Sequence, residues 1–213
     1  MENVRVRRTR KLLRDALIEL IEERGFDRVT VGEICARAMV SRAAFYRSHR
    51  DKYQLVETIF DEAVEEMLGA MAGEDGKDGE DGERGKDGKD GTDGAERSPL
   101  ERWIGFYQHI DTYHRFYGAL LGRGGSPWFA DRMRATLAGM VAEHLPAPAG
   151  RAPDAGGGLV PTVLAALSVQ SITWWLEQGR PYPPRGIAVR SARLASAVIA
   201  EAQSWEGAGG RNG

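Results

Sequence analysis

Cysteine is almost absent from this sequence. Cys35 is the only cysteine among 213 residues, so the chain cannot form an internal disulfide bond. Such scarcity favours a reducing compartment. The first residues, Met1 to Arg5, contain an acid and a base but no apolar run of the kind that a secretory signal needs. We therefore expect a cytoplasmic protein.

Motifs for catalysis and metal binding are also absent. The sequence has no G-x-S-x-G, no phosphate-binding loop, no G-x-G-x-x-G after a strand and no C-x-x-C. His109 and His114 are five residues apart and His144 lies in another predicted helix, which is not a usual spacing for metal ligands. We predict a protein that is not an enzyme, with no catalytic residues, no cofactor and no metal site.

A good membrane span is missing too. Residues 155–176 carry no charge, but they include three glycines, a proline and several hydroxyl side chains. The apolar part is too short and too polar for a span. We predict a buried helix here and no membrane partner.

The net charge is small but unevenly distributed. A formal charge of −2 and a pI near 6.1 exclude a uniformly basic nucleic-acid binder. Residues 1–56 nevertheless carry 13 Lys/Arg against 8 Asp/Glu, whereas residues 57–72 carry five acids and no base. A basic N-terminal quarter followed by an acidic block fits a local DNA-binding surface, although an ordinary mixed surface has a similar composition.

The middle of the chain has a three-residue period. Glycine occupies every third position from 73 to 94, mostly with charged residues between. Collagen requires this spacing, but it also needs proline to stiffen the strand, and this tract has none. We interpret residues 73–95 as a disordered linker. A collagen-like trimerisation segment and a weak Ca²⁺ site are the alternatives.

The two units that flank the tract, residues 1–72 and 96–205, have helical periodicity, so we predict an all-α fold with a disordered tail at 206–213. Thr30 to Glu33 matches a capping box, and Ser41 and Asp51 are N-cap residues for the next two helices. Ser98 to Glu101 gives the second unit an equally strong helix start.

Two short helices joined by a tight turn form a helix-turn-helix arrangement. The stretch TVGEICARAMVSRAAFYR at residues 30–47, followed by Asp51-Lys52, resembles the DNA-binding domain of TetR-family transcriptional regulators. The resemblance runs from about residue 8 to residue 60. Three positions depart from the common pattern: Met39 replaces a turn glycine, Ala44 replaces a polar residue and His49 replaces an aromatic one.

The resemblance assigns DNA contacts to named positions. A recognition helix places its N-terminal residues at base edges in the major groove, so Arg42 is the expected reader of a guanine. Ala43 and Ala44 offer only apolar contact, for example with thymine methyl groups. The expected phosphate contacts, each with a solvated surface as its alternative, are Thr30, Ser41, Tyr46, Arg47 and Lys52.

The second unit is rich in aromatic residues at helical spacing. Such a stripe either fills a core or lines a ligand pocket, and the pocket candidates are Trp103, Tyr107, Tyr113 and Trp174. By the TetR resemblance, the predicted helices 160–178 and 186–204 would form a four-helix bundle with a second copy of the chain.

Taken together, the resemblance implies an N-terminal helix-turn-helix DNA-binding domain and a C-terminal helical domain for ligand binding and dimerisation. The implied function is a repressor that responds to a small-molecule effector and binds double-stranded DNA as a homodimer on a palindromic operator. The alternative is a protein-interaction or coactivator module with the same fold and weak DNA binding, because Met39, Ala44 and the low charge weaken the expected DNA surface.

Overall fold

The regular secondary structure of the described residues is entirely helical. A computed structural model of the protein describes residues 4–72, 98–144 and 158–209. Residues 4–72, here called the head, contain α1 (Val4–Arg24), a 3-10 turn (Phe26–Arg28), α2 (Val31–Arg37), α3 (Arg42–Tyr46) and α4 (Lys52–Ala72). The remaining described residues, here called the body, contain α5 (Pro99–Thr112), α6 (His114–Leu121), α7 (Pro127–His144), α8 (Leu159–Glu177) and α9 (Pro184–Gly209). The prediction of an all-α fold is confirmed.

The predicted helix starts are confirmed by their cap geometry. Before α2, the Glu33 N–H donates to the Thr30 hydroxyl at 3.3 Å, and the Thr30 N–H donates to the Glu33 carboxylate at 3.0 Å. The Ser98–Glu101 segment makes the same reciprocal pair before α5. The Ser41 hydroxyl accepts a backbone N–H at 3.1 Å at the start of α3, and the Asp51 carboxylate accepts one at 2.8 Å at the start of α4. These caps satisfy N–H groups that helix starts otherwise leave without partners.

The aromatic stripe of the body is divided between two helices. Its spacing predicts one helix through Tyr117, but α5 ends before Tyr113, whose φ of −100° and ψ of 22° are not helical, and α6 begins at the next residue. The Tyr113 hydroxyl donates to the Glu66 carboxylate on α4, and the Arg14 guanidinium of α1 lies 5.7 Å from the Tyr113 ring centre. The break therefore coincides with contacts to the head that periodicity does not reveal.

The last helix is longer than the sequence predicts. Helix α9 runs to Gly209, four residues into the segment that the sequence predicts as a tail. Near this end the Trp205 indole N–H donates to the Glu201 carboxylate at 3.0 Å, one helical turn away. Residues 210–213 and the predicted linker at 73–95 lie outside the described residues.

Helix α8 is long and apolar enough, by length and composition alone, to cross a membrane. In the fold it packs against α7 and α9, with Leu164, Ile172 and Trp175 buried. Its opposite side exposes Leu159 and Val163. The prediction of a buried helix is therefore right for one side of α8 only.

Head and body share one hydrophobic core. The Phe60 ring of α4 lies 5.3 Å from the Phe129 ring of α7 and 6.5 Å from the Tyr117 ring of α6. At the other end of the contact, the Tyr53 and Trp128 rings are 5.1 Å apart, edge to face. Phe60, Phe129 and Tyr117 are almost completely buried. The head is thus fixed to the body by packing and not merely by the connecting tract.

A backbone hydrogen bond also joins the head to the body. The Phe26 N–H of the head donates to the Gly124 carbonyl of the α6–α7 loop at 2.9 Å. A Cβ built on Gly25 would lie 3.3 Å from that carbonyl oxygen, and the Gly25 φ of +81° also favours glycine. We call this contact between the Gly25–Phe26 turn and Gly124 the glycine joint.

Helices α4 and α5 run antiparallel. The Met71 side chain near the end of α4 lies beside Gly105 of α5, and Glu66 one turn earlier reaches Tyr113 at the far end of α5. Gly105 is about 10 Å along α5 from its start, at 1.5 Å per residue. The chain therefore leaves α4 and enters α5 on the same side of the molecule.

This arrangement predicts that residues 73–97 are dispensable for the fold. A replacement linker of about eight Gly and Ser residues has an end-to-end distance of roughly 15 Å. We expect the free energy of unfolding, measured with urea, to change by no more than about 1 kcal/mol, because each doubling of loop length costs only ~0.6 kcal/mol. Loss of cooperative unfolding in the shortened chain would contradict this expectation.

Candidate nucleic-acid interface

Helices α2 and α3 are joined by a turn around Met39. Met39 has φ +53°, in the left-handed region, and its side chain is 91% exposed. The Val40 N–H donates to the Cys35 carbonyl at 2.9 Å across this turn. The backbone conformation is the one in which a glycine was expected, so methionine carries a strain of about 1 kcal/mol.

The inner side of the helix-turn-helix is firmly packed. Phe45 of α3 and Ile34 of α2 are completely buried, and Cys35 is 2% exposed. Burial raises the pKa of the Cys35 thiol, which disfavours the reactive thiolate. Phe45 and Cys35 therefore serve packing, and with Ile34 they hold α3 against the rest of the head.

The outer side of α3 faces solvent. Arg42, Ala43, Tyr46 and Arg47 are exposed, with Tyr46 at 56%, whereas Ala44 is half-buried. These residues are brought together on one short helix at the surface of the head. Their contacts with DNA stay a prediction, but their exposure gives each the access that a groove contact needs.

The cap residues Thr30 (before α2) and Ser41 (before α3) differ in whether the hydroxyl proton remains available to bond a phosphate. The Ser41 hydroxyl oxygen accepts a backbone N–H, so its proton remains able to bond a phosphate. The Thr30 hydroxyl instead donates to the Glu33 carboxylate at 2.7 Å, and this bond is the main reason that the pKa of Glu33 is lowered. A phosphate at Thr30 has to compete with that carboxylate.

Lys52 is engaged inside the head. Its Nζ donates to the backbone carbonyl groups of Phe26, Asp27 and Val29 at 2.8, 3.1 and 3.0 Å. These bonds use all three ammonium protons, and burial lowers the pKa of Lys52. The phosphate contact from Lys52 stays a prediction, and a phosphate there has to displace one of these carbonyl groups.

The cations of the head fall into two groups. Arg24 is paired with Glu33 at 2.6 Å, and Arg37 with Glu23 at 2.8 Å and with Glu19 at 3.1 Å. Arg42 and Arg47, in contrast, have no carboxylate partner among the described residues. Two exposed cations without an ion pair thus lie at the two ends of α3, where they favour contact with an anionic backbone.

His49 is an unusual component of the packed side. It is 3% exposed, its ring centre lies 5.3 Å from that of Phe45, and its Nδ1 has no hydrogen-bond partner among the described residues. Burial, with a smaller effect from Arg10, lowers the pKa of His49 below 6.5. A neutral imidazole thus occupies a position where the TetR resemblance places an aromatic ring.

The four pocket candidates lie in different surroundings among the described residues. Tyr107 is completely buried, and its hydroxyl lies 2.7 Å from that of Ser191 on α9. Trp103 stacks on Tyr107 at 6.3 Å, Tyr113 bonds to the head, and Trp174 is 42% exposed on α8. For Tyr107 the core interpretation fits the structure, because its ring and its hydroxyl are both satisfied by protein atoms.

Two clefts lie instead on either side of α6. One, of about 250 Å³, lies between α6 and α8 and includes Gly118, Leu176 and Glu177. The other, of about 350 Å³, lies between α6 and α1 and includes Gly118, Glu22 and Arg115. Both volumes are at or below the lower end of the range for small-molecule sites.

Most of the head matches the model of a known protein family. The family model for bacterial regulatory proteins of the tetR family matches residues 13–59. This segment contains the capped α2, the strained turn and α3. Residues 13–59 belong to the TetR family. Regulators of this family are DNA-binding transcription factors and not enzymes, which supports the sequence prediction.

The similarity of fold extends beyond the matched segment. A TetR transcriptional regulator from Streptococcus agalactiae is 16% identical, with a TM-score of 0.55 over 90% of this chain and 95% of that one. A TetR-family transcriptional regulator from Syntrophomonas wolfei is 12% identical, with a TM-score of 0.58 over the same shares. At these identities the similarity concerns the fold alone. No curated protein matches the chain by sequence.

Two features of the interface were not predicted. One is that Lys52 donates hydrogen bonds to three backbone carbonyl groups. The other is the packing of the Arg42 guanidinium against Gly32 on α2. The only sequence signal for the second was a glycine inside a short helix, where glycine is unfavourable.

The buried imidazole predicts that stability depends on pH. The pKa of His49 is lower in the folded chain than in the unfolded one. The stability that the neutral imidazole allows is therefore present above about pH 6.5 and is lost as the pH falls below that value.

His49→Phe removes the titrating group and the unpartnered Nδ1. We expect an increase of about 1 kcal/mol in the free energy of unfolding at pH 7.5, and a larger increase at pH 5.5. Urea unfolding of both proteins at the two pH values measures this, and an equal increase at both would contradict it.

Proposed function

We propose that this TetR-family regulator is a cytoplasmic, ligand-responsive repressor that binds a palindromic operator as a homodimer. The observation that carries the DNA-binding part is the outer side of α3. There Arg42 and Arg47 are exposed and have no carboxylate partner among the described residues, on a helix held rigidly by Phe45. A guanidinium with all its N–H donors free suits bidentate contact with guanine or phosphate.

The homodimer is supported by the exposed sides of α8 and α9. Helix α8 carries no charge from Leu159 to Leu176, and it exposes Leu159, Val163 and Trp174. Helix α9 exposes Leu194 together with small residues such as Ala197. An uncharged stripe beside small residues permits close helix packing, and a second copy would remove its apolar area from water.

The regulatory part is supported by the position of the two clefts. Both border α6, and α6 leads directly into the loop that carries Gly124 of the glycine joint. A small molecule bound beside α6 would shift this loop and, through the joint, the turn before α2. A coupling of about 1–3 kcal/mol changes DNA affinity roughly 5- to 150-fold.

The proposal predicts a defined operator. Selection of bound fragments from random DNA at two salt concentrations should enrich a two-fold symmetric site, with half-sites about 34–36 Å apart, and binding should weaken as salt rises. Arg42→Ala should relax the preference at one base pair in each half-site. Weak binding without sequence preference would contradict the proposal and would favour the protein-interaction module.

The dimer has its own test. Val163→Glu and Leu194→Glu place charges on the exposed sides of α8 and α9, and each should convert a dimer to a monomer in light-scattering measurements. Leu68→Glu is the matched control, because Leu68 is an equally exposed leucine (47%) on α4, outside the proposed interface. A trimeric wild-type protein would instead support the collagen-like interpretation of residues 73–95. Dimers that persist in both variants would contradict the assignment of the interface.

A further inference from the structure

The Arg42 guanidinium lies directly over Gly32. A Cβ built on Gly32 would lie 2.5 Å from Arg42 Nη2, 3.3 Å from Cζ and 3.6 Å from Nε. The Nη2 end of the guanidinium group therefore occupies the space that a side chain at position 32 would fill. Arg42 begins α3 and Gly32 is in the first turn of α2, so this contact bridges the two helices of the helix-turn-helix.

The backbone does not require glycine at this position. Gly32 is helical and is not among the residues with positive φ, so an alanine would adopt the same conformation. Glycine in a helix costs roughly 0.5–1 kcal/mol relative to alanine. What glycine supplies here is space, and Arg42 occupies that space.

The contact is one of shape and not of hydrogen bonding. Among the described residues, Arg42 has no hydrogen bond and no ion pair. The guanidinium thus rests against α2 with all of its N–H donors free, on a helix whose inner side is buried at Ile34 and Cys35. A side chain held in place without using its donors is prepared to bind a base edge.

We propose that Gly32 is a positioning residue that sets which base edge Arg42 can read. This inference rests on the proposed DNA-binding function. A methyl group at position 32 would displace Nη2 by about 1 Å, since ordinary contacts begin near 3.4 Å. Bidentate contact with the O6 and N7 atoms of guanine depends on geometry, so a shift of this size weakens discrimination at that base pair and leaves phosphate contacts intact.

The test compares Gly32→Ala with Arg42→Ala, the double variant and a matched control. Gly69→Ala is the control, because a Cβ at Gly69 on α4 meets no atom within 4 Å. Binding of each protein is measured on the selected operator and on operators changed at single base pairs. Thermal unfolding is measured in parallel.

Gly32→Ala should reduce discrimination about tenfold at the base pair that Arg42→Ala identifies, and leave the other positions unchanged. Its thermal stability should equal or exceed that of the wild type, as for Gly69→Ala. In the double variant, the effect of Gly32→Ala should disappear, because the two residues act as one unit.

Two results would overturn the inference: unchanged discrimination in Gly32→Ala, or additive effects in the double variant. Both are distinct from failure of the proposed function, in which the wild-type protein itself would show no sequence preference. If Gly32→Ala were to unfold, Gly32→Ser would repeat the test, with a polar group in the same space.

Discussion

The arrangement of the head on the body depends on their shared hydrophobic core and on a backbone hydrogen bond from the Phe26 N–H to the Gly124 carbonyl at 2.9 Å. This hydrogen bond is favoured by Gly25, where a side chain would crowd the Gly124 carbonyl oxygen and would be strained at φ +81°. Around it, the rings of Phe60 and Phe129 pack into one continuous core. Coupling between body and head requires direct contact between them, since the linker predicted from the sequence would not transmit a change. This interface supplies that contact.

The head divides its polar groups between architecture and recognition. Lys52 satisfies three carbonyl groups beside the 3-10 turn, and Thr30 closes the capping box with Glu33. Both residues are predicted phosphate contacts, and in this structure the polar groups of both are engaged by the head itself. On α3, the Arg42 guanidinium makes no hydrogen bond among the described residues, and it lies in the space beside Gly32. Specificity in this protein would then depend on a residue that has no side chain.

The body shows why an aromatic stripe at helical spacing is ambiguous. Tyr107 and Tyr117 are buried, yet each hydroxyl has a partner, in Ser191 and in His109 respectively. Burial lowers the pKa of His109 to about 4, so a neutral imidazole takes part in this contact at neutral pH. Because these hydroxyl groups are hydrogen-bonded to protein atoms, we interpret the two rings as part of the core. The candidate effector sites are then the clefts beside α6.

The sequence by itself determined the helices and their starts, because caps such as Thr30–Glu33 and Ser98–Glu101 act over a few residues and can be read from spacing. It also determined the helix-turn-helix, including the strained turn at Met39. Only the tertiary structure decided the break at Tyr113, the role of Lys52 and the approach of Gly25 to Gly124. Each of these depends on atoms from elements distant in the chain, and local spacing carries no information about which surfaces meet.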